Sequence, residues 1–498
     1  MKQLLSIILL LFTGHSLLAN SYTCYTQAGK LQTHVGTRAG AITQLRVSGT
    51  LDARDFAYIS DSLFQLVEID LEGCSIAAFE SRDTYLGNQS RFEANRLPAN
   101  VFAGFQNLTT VKLPRQTQAI GEAAFAGCTA LTTVEWGDRL QTIGDLAFAG
   151  CTALVTPLPA TLKTIGEYGF SQCAYTHLDL EETALQSIGA QAFSNCTRLT
   201  EANLPATLQT LGNRGFAGCT ALTTITLPGS LRQLGEGSFA YCTSMTHAEI
   251  ADCQLDTLPP YLFDHCTALT AIQVPRTVTH LGEGAFYYCT ALTDCTLPER
   301  VQTIGDYTFA GCSRMIRLDF LPEGLEQIGR WPFYGMRQLY SAELPSTVAY
   351  IGDHAFDGCT RLAVIRSHPT LPPSLGEAVF QEVPQANCLL GVPDESIELY
   401  RGTPQWQEFE IRLLSNKEEL TADNRLNVHF EQGNLIVQSE APMRHIALYT
   451  PDGQLIYRET GETTECTIDT RSHAGQIFIL SVQMVSGEYR HLKVGRNR

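Results

Sequence analysis

The chain has 498 residues, a hydrophobic fraction of 44% and a formal charge of −17. Those values suit a folded protein with room for several domains or one elongated array. The acidic balance excludes a nucleic-acid role, which needs clustered Lys and Arg to release counterions, and no internal apolar run reaches the roughly 20 residues of a membrane-spanning helix.

The N-terminus reads as an address. Lys2 precedes an apolar stretch from Leu4 to Phe12, followed by Leu17-Leu18-Ala19. This charged, apolar, small-residue order is that of a secretory signal peptide, so residues 1–19 are expected to direct export and to be removed. Partners are then sought outside the cell, among neutral or locally basic surfaces.

From residue 97 the chain repeats itself. A dipeptide recurs as Leu97-Pro98, Ile120-Gly121, Ile143-Gly144 and so on to Leu375-Gly376, in steps of 22 to 24 residues that define thirteen units. Five residues after each dipeptide's first member stands a phenylalanine, from Phe102 to Phe380. A period of this length predicts a solenoid of stacked coils. Leu222-Thr223-Thr224-Ile225-Thr226-Leu227 carries a strand with Ile225 and Leu227 inward and Thr226 outward, ended by Pro228. The Gly of Ile-Gly is expected where the turn needs positive φ or close approach. The Ala-Phe-x-x-Cys segment is read as a short helical or 3₁₀ turn. Because one coil cannot cover its own apolar face, the phenylalanines are expected to stack into a spine.

Ten of the sixteen cysteines share one register, from Cys128 to Cys359, where Phe105 and Met336 stand in other units. Interchange with Phe and Met points to buried free thiols acting as soft filler. Disulfides and a metal site are the alternatives, disfavoured by parallel side-chain vectors and by the absence of Cys-x-x-Cys or companion histidines. Cys295 is expected at an inward strand position, and a pair among Cys24, Cys74, Cys253, Cys388 and Cys466 is left open.

The phrase Ile-Gly-x-x-Ala-Phe-x-x-Cys-Thr-x-Leu-x-x-Ile-x-Leu-Pro, over about residues 97 to 390, resembles the BspA-like leucine-rich-repeat proteins of bacterial cell surfaces. The resemblance implies a solenoid of about 13 coils with adhesion or protein-binding roles toward host matrix or other bacteria, and no catalysis. By the same resemblance residues 20–96 form an N-terminal cap of degenerate repeats, with strands at Leu45-Arg46-Val47 and Leu66 to Leu71. Residues 388 to 411 close the array, with a short helix carrying Tyr400 and Trp406 over the last coil, so that the array and its cap occupy 97–415. Changes near Leu154-Val155-Thr156-Pro157 and Cys173-Ala174-Tyr175 predict irregular third and fourth coils.

Residues 416–498 abandon the repeat. Leu426 to Phe430, Leu435 to Gln438, Ile446 to Tyr449, Leu455 to Tyr457, Ile477 to Val482 and Leu492 to Val494 alternate as strands, with a turn at Asp452-Gly453. A β-sandwich of about seven strands is expected. Pro451 to Tyr457 and Ala474 to Val494 resemble the C-terminal sorting domain of type IX secretion cargo, without its usual Pro-Asn-Pro opening. A plain accessory β-domain is the alternative.

No metalloprotease, nucleophile-elbow, phosphate-loop or calcium-loop motif occurs, and Gly235-Glu236-Gly237 and Gly282-Glu283-Gly284 are read as repeat turns. No enzyme activity, cofactor or metal is expected. Two candidate partner-binding faces remain. Outward strand positions give Glu135, Asp179, Glu249, Asp319 and Glu343, with His247 and Arg317 two places upstream in their units, as a mildly acidic strip on the sheet face. In three consecutive units the residue before the ladder cysteine, usually glycine, becomes Tyr241, His265 and Tyr288, with Tyr287 beside them, as a patch on the convex side. The expected function is an exported adhesion or protein-binding solenoid; a structural spacer without a specific ligand is the alternative.

Overall fold

The repeats wind into successive turns of a parallel solenoid in the computed structural model, which describes residues 20–82, 90–414, 426–431, 434–450, 455–471, 477–484 and 489–495. The signal-like stretch, the Asp452-Gly453 turn and residues 415–425 lie outside the described residues. The solenoid makes about 17 turns. Three precede the thirteen Phe-bearing coils, with strands Ser21–Thr26, Gln44–Leu51 and Glu68–Ile76, and one follows, with strand Glu410–Leu413. Of the two expected N-terminal strands, Leu45-Arg46-Val47 lies within the second of these and Leu66 to Leu71 overlaps the third.

Each Phe-bearing coil has three sides. In all but the third coil the first carries a strand of two to four residues, such as Thr224–Thr226, which pairs in parallel with the coils before and after. The second carries a two-residue strand that ends on the Ile or Leu before glycine or, at Leu97 and Leu258, before proline, such as Thr142–Ile143 paired with Ala119–Ile120 and Thr164–Ile165. That second sheet was not anticipated, because a two-residue strand shows no alternation to read. Gly144 follows it because a Cβ there would lie 2.9 Å from the Ile120 carbonyl oxygen of the coil before. Close approach, rather than positive φ, sets this glycine.

The third side is a run of tight turns rather than a regular helix. Its residues alternate between left-handed and ordinary backbone, with Ala123 at φ 50 and Gly127 at φ 71 on either side of Phe125. This alternation turns successive amides toward the next coil: Ala123, Phe125 and Gly127 donate to the Asp145, Ala147 and Ala149 carbonyls, each at 2.8 Å. Strand-like pairing along all three sides leaves little backbone unsatisfied in the interior.

The phenylalanine spine is present. Successive rings from Phe102 to Phe380 lie 4.9–6.2 Å apart, near parallel except at Phe333–Phe356. All sixteen cysteines are free, and those in register run beside the spine. Each thiol there donates to the carbonyl of the Phe one coil back, as Cys151 does to Phe125 at 3.1 Å and Cys219 to Phe193 at 3.2 Å. Cysteine therefore fills a small apolar space while satisfying a buried acceptor, which Ala cannot do. Burial raises these thiols, Cys128 and Cys196 to about 12. Cys295 is buried on its strand, as expected.

The spine ends on the cap. Phe380 meets Trp406 at 5.1 Å and Phe409 edge-on at 4.8 Å. The helix Ile397–Arg401 carries Tyr400, whereas Trp406 begins the following 3₁₀ turn. Both are fully buried and anchored: Tyr400 Oη donates to the Pro369 carbonyl at 3.0 Å, and Trp406 Nε1 to that of Pro373 at 3.1 Å. At the other end, helix Ala53–Ser62 starts on a reciprocal cap between Asp52 and Asp55.

The irregular coil lies where the sequence is short. Side one has no strand between Thr133–Glu135 and His177–Asp179. Thr156 Oγ1 instead accepts from the Val134 amide at 3.0 Å, Trp136 Nε1 reaches the Pro157 carbonyl at 2.7 Å, and buried Tyr175 donates to Thr156 at 2.9 Å. The fourth coil keeps its strand. Side two runs unbroken past this point and breaks only between Gln233–Leu234 and Thr257–Leu258.

The C-terminal residues form a small β domain, as expected, with one antiparallel sheet of five described strands where about seven were expected. The reason is strand length. Asn434–Tyr449 runs 16 residues with register shifts after Gln438, pairing first with Leu426–Glu431 and then with Ile477–Met484, while Leu455–Asp469 follows it along both halves. Segments that read as separate short strands are thus parts of two long bent ones. Leu435, Val437, Met443, Leu448, Phe478 and Leu480 form this region's own core.

Candidate binding face

The sheet face places its expected residues outward. Thr133–Glu135, His177–Asp179 and His247–Glu249 each bury only the central residue, and Arg317 and Asp319 flank buried Leu318. These residues do not join into one strip. The sheet is interrupted after Glu135, Glu249 and Thr296, and several carboxylates already have side-chain partners. Lys112 Nζ lies 2.8 Å from Glu135, His247 Nε2 lies 3.6 Å from Glu249, and His368 Nε2 lies 2.9 Å from Glu343. The Glu135 carboxylate holds the Lys112 ammonium above its ordinary value.

The turn side is different. Tyr241, His265 and Tyr288 occupy left-handed backbone at φ 63, 55 and 54, in the register held by Gly127, Gly150, Gly218 and Gly311 elsewhere. A side chain in that conformation costs about 1–2 kcal/mol relative to glycine. Their rings stack along the array, Tyr241 on His265 at 4.8 Å and His265 on Tyr288 at 5.1 Å, within 12° of parallel. The stack ends where Tyr288 lies over the backbone of Gly311. Tyr241 remains 50% exposed and Tyr288 40%, so the rings pack on each other and not beneath a loop. His265 Nδ1 is bonded to the Asp264 carboxylate at 2.5 Å.

Tyr287 stands across this stack, edge-to-face with His265 and Tyr288, and 6.2 Å from Tyr307 at 88°. There a second row begins that the sequence reading missed. Tyr307 stacks on Trp331 at 6.3 Å, Trp331 on His354 at 3.9 Å, and Tyr334 crosses Trp331 at 5.0 Å. Tyr307, Trp331 and His354 occupy the other left-handed register, two residues after the Gly of Ile-Gly, which Gly237 and Gly284 fill in their coils. The available signal was that Gly237 and Gly284 align with these rings; reading both glycines as turns concealed it. One aromatic strip thus runs from Tyr241 to His354.

Burial, then the hydrogen bond to Glu283, raises the Tyr261 hydroxyl beside the strip, and burial raises that of Tyr287. Both are protonated hydroxyls at neutral pH. Among the described residues no group of three His, Cys, Asp or Glu could hold a metal ion, and no helix is long and apolar enough to cross a membrane. An open groove of about 720 Å³ lies along side two near Arg91, Arg96, Glu122 and Asp145.

Comparison with solved structures finds a leucine-rich repeat protein from Bacteroides ovatus at 27% identity, covering 68% of this chain and 91% of that one, with a TM-score of 0.50. A leucine-rich cell surface protein from Faecalibacterium prausnitzii matches at 26% identity over 58% of this chain and 86% of its own, with a TM-score of 0.39. No curated protein matches significantly. The profile of the BspA type leucine rich repeat region matches in six copies over residues 95–178, 163–293, 238–363 and 279–386, more than half of the chain. With its Phe and Cys registers stacked coil on coil, the chain belongs to the BspA-type leucine-rich-repeat family.

Proposed function

We propose that this chain is an exported, surface-associated protein-binding or adhesion solenoid that engages other proteins through the aromatic strip of its turn side. The observation that carries the reading is the placement of exposed Tyr241 and Tyr288, with half-buried His265 between them, at left-handed positions where most sister coils use glycine. Stability alone would favour glycine there, and clustered exposed tyrosine is a favoured protein anchor. The Lys2 to Ala19 order supports export, and the separate C-terminal sheet supports a sorting or attachment role for residues 416–498, in the manner of type IX cargo. Residues 20–96 and 97–415 then act as cap and array. The spacer reading draws on the sheet face, whose carboxylates are partly paired with the chain's own side chains.

The test is retention of outer-surface and host-matrix proteins by the full chain and by a Tyr241→Gly, His265→Gly, Tyr288→Gly variant. Loss of retention with an unchanged melting curve supports the strip. Equal retention together with loss on Glu249→Lys, Asp319→Lys and Glu343→Lys moves binding to the sheet face, and no retention by any form leaves the spacer. Deletion of residues 416–498 is expected to abolish surface display; normal display would end the sorting reading.

A further inference from the structure

The strip is bordered by carboxylates. Across the six turn segments that bear it, from Gly235 to Cys359, the chain places Glu236, Asp264, Glu283, Asp306, Asp353 and Asp357 against Arg330 as the sole Lys or Arg. Four of the six follow directly after Ile-Gly or Leu-Gly, in one register. Asp264 and Asp357 are buried and bonded to the chain's own His265 and His354, so the carboxylates open to a partner are Glu236, Glu283 and Asp353. Glu236 and Glu283 are exposed, and Glu283 accepts from the Tyr261 hydroxyl. Asp353 Oδ1 accepts the Glu377 amide of the next coil at 2.8 Å, which fixes that carboxylate at the edge.

Arg330 shows what this border does with a guanidinium. It donates from Nε and Nη2 to Asp306 Oδ2 at 2.9 and 2.7 Å, while its neighbour Trp331 stacks between Tyr307 and His354. A guanidinium on a carboxylate beside stacked rings is thus already built once, by the chain's own residue. The adjoining coils present carboxylates and rings without such an arginine.

We propose that the strip from Tyr241 to His354 takes an extended, Arg- and Lys-containing segment of a partner protein. Its aliphatic stems lie on the rings and its charged heads on the bordering carboxylates. The inference rests on the reading of the strip as the binding face and adds the chemistry of its occupant. The overall charge of −17 favours the approach of such a segment. The earlier coils, with glycine, Gln172 or Asn195 in the first aromatic register, offer no ring there for the stems.

The probe is a peptide alternating Arg and Gly, about eight residues long, enough at roughly 3.3 Å per residue to follow five coil spacings of about 4.8 Å. It is titrated into the full chain by calorimetry at two salt concentrations, beside a Glu-Gly peptide of equal length and a neutral glucan oligosaccharide. Expected are binding of the Arg peptide only, weakening with salt, and at least about a tenfold loss of affinity on the triple glycine variant. A similar loss is expected on Glu236→Gln with Glu283→Gln, and none on Glu122→Gln with Glu167→Gln in the coils whose first aromatic register holds Gly127 and Gln172. Glycine suits the left-handed backbone, so the triple variant is expected to fold.

Equal affinity for the triple variant, equal loss on the Glu122 and Glu167 pair, or binding of the glucan in place of the peptide would each overturn the inference. If the Arg peptide does not bind while the triple variant still loses its retained proteins, the basic occupant falls and the strip stands as a binding face. If neither changes, both fall.

Discussion

The turn side of the coils from Phe125 to Phe216 and that of the coils from Phe239 to Phe356 share one backbone and carry different cargo on it. Both alternate left-handed and ordinary residues, both bury a Phe, and all but one of these coils set a cysteine thiol beside it, Met336 standing in the exception. In the first group the left-handed register before the cysteine holds Gly127, Gly150, Gln172, Asn195 and Gly218, four of which are glycine or asparagine, the residues that tolerate that conformation. In the second it holds Tyr241, His265 and Tyr288 before returning to glycine. The lesson is that stacking dictates the interior of a coil, while the outward left-handed position is open to choice. An aromatic residue chosen there, against local preference, marks a surface with a task.

If the two groups share one core, they should fail together in alkali. Burial raises the registered thiols, Cys128 and Cys196 to about 12, from an ordinary value of about 9. The folded state therefore holds protons that the unfolded state releases above pH 9. Stability is intact below pH 9 and declines as pH rises toward 12, by about 1.4 kcal/mol per pH unit for each such thiol. With ten in register the slope is steep, and denaturant midpoints taken from pH 8 to 10.5 should collapse in a single transition. Two separated transitions would show that the groups of coils have independent cores.

Next in size, Phe148→Ala and Phe286→Ala should each cost about 3–5 kcal/mol, because each deletes a ring stacked on both sides within a buried spine. Equal losses by chemical denaturation sharpen the claim of a common core. A much smaller loss at Phe148 would instead mean that the irregular coil, with Trp136 edge-on to Phe148 at 5.6 Å, has reinforced that site.

The surface contrast predicts smaller, opposed effects. Gly127→Tyr should destabilise by about 1–2 kcal/mol, since φ is 71 and its axial neighbours are glycines without rings. Tyr288→Gly should stay within about 1 kcal/mol of the parent, because relief of the left-handed backbone offsets lost stacking of roughly 0.5–1.5 kcal/mol. If Tyr288→Gly were strongly destabilising, the aromatic register would be part of the fold and the functional contrast would dissolve. Smallest of all, Lys112→Ala should leave the midpoint nearly unchanged, as expected for a partly exposed surface pair.

Much of the array was legible from residue spacing. Phe125, Phe148 and Phe216 recur at one phase, so each had to meet its own copy above and below, and Cys128 followed because Met336 and Phe105 share its place. Leu154-Val155-Thr156-Pro157 announced a faulty coil by being short. The second sheet was not legible, since Thr142–Ile143 is too brief to show a period. The C-terminal strands were miscounted because Asn434–Tyr449 bends without breaking, and a bulge looks like a turn in one dimension. Half of the aromatic strip went unseen for a related reason. Trp331 and Tyr288 are far apart in sequence phase, and only the crossing of Tyr287 against Tyr307 joins their rows.

What the sequence alone determined is the stacked coil itself, because a period of about 23 residues with one buried ring per turn has no other way to cover its apolar face. It also determined the thiol register, since size and polarity at that place admit little else. Only the tertiary structure decided which outward residues become neighbours. The reason is geometric: left-handed backbone at two points per coil swings selected side chains onto one edge, and no linear spacing records that rotation. That edge is where the chain stops repeating and begins to choose.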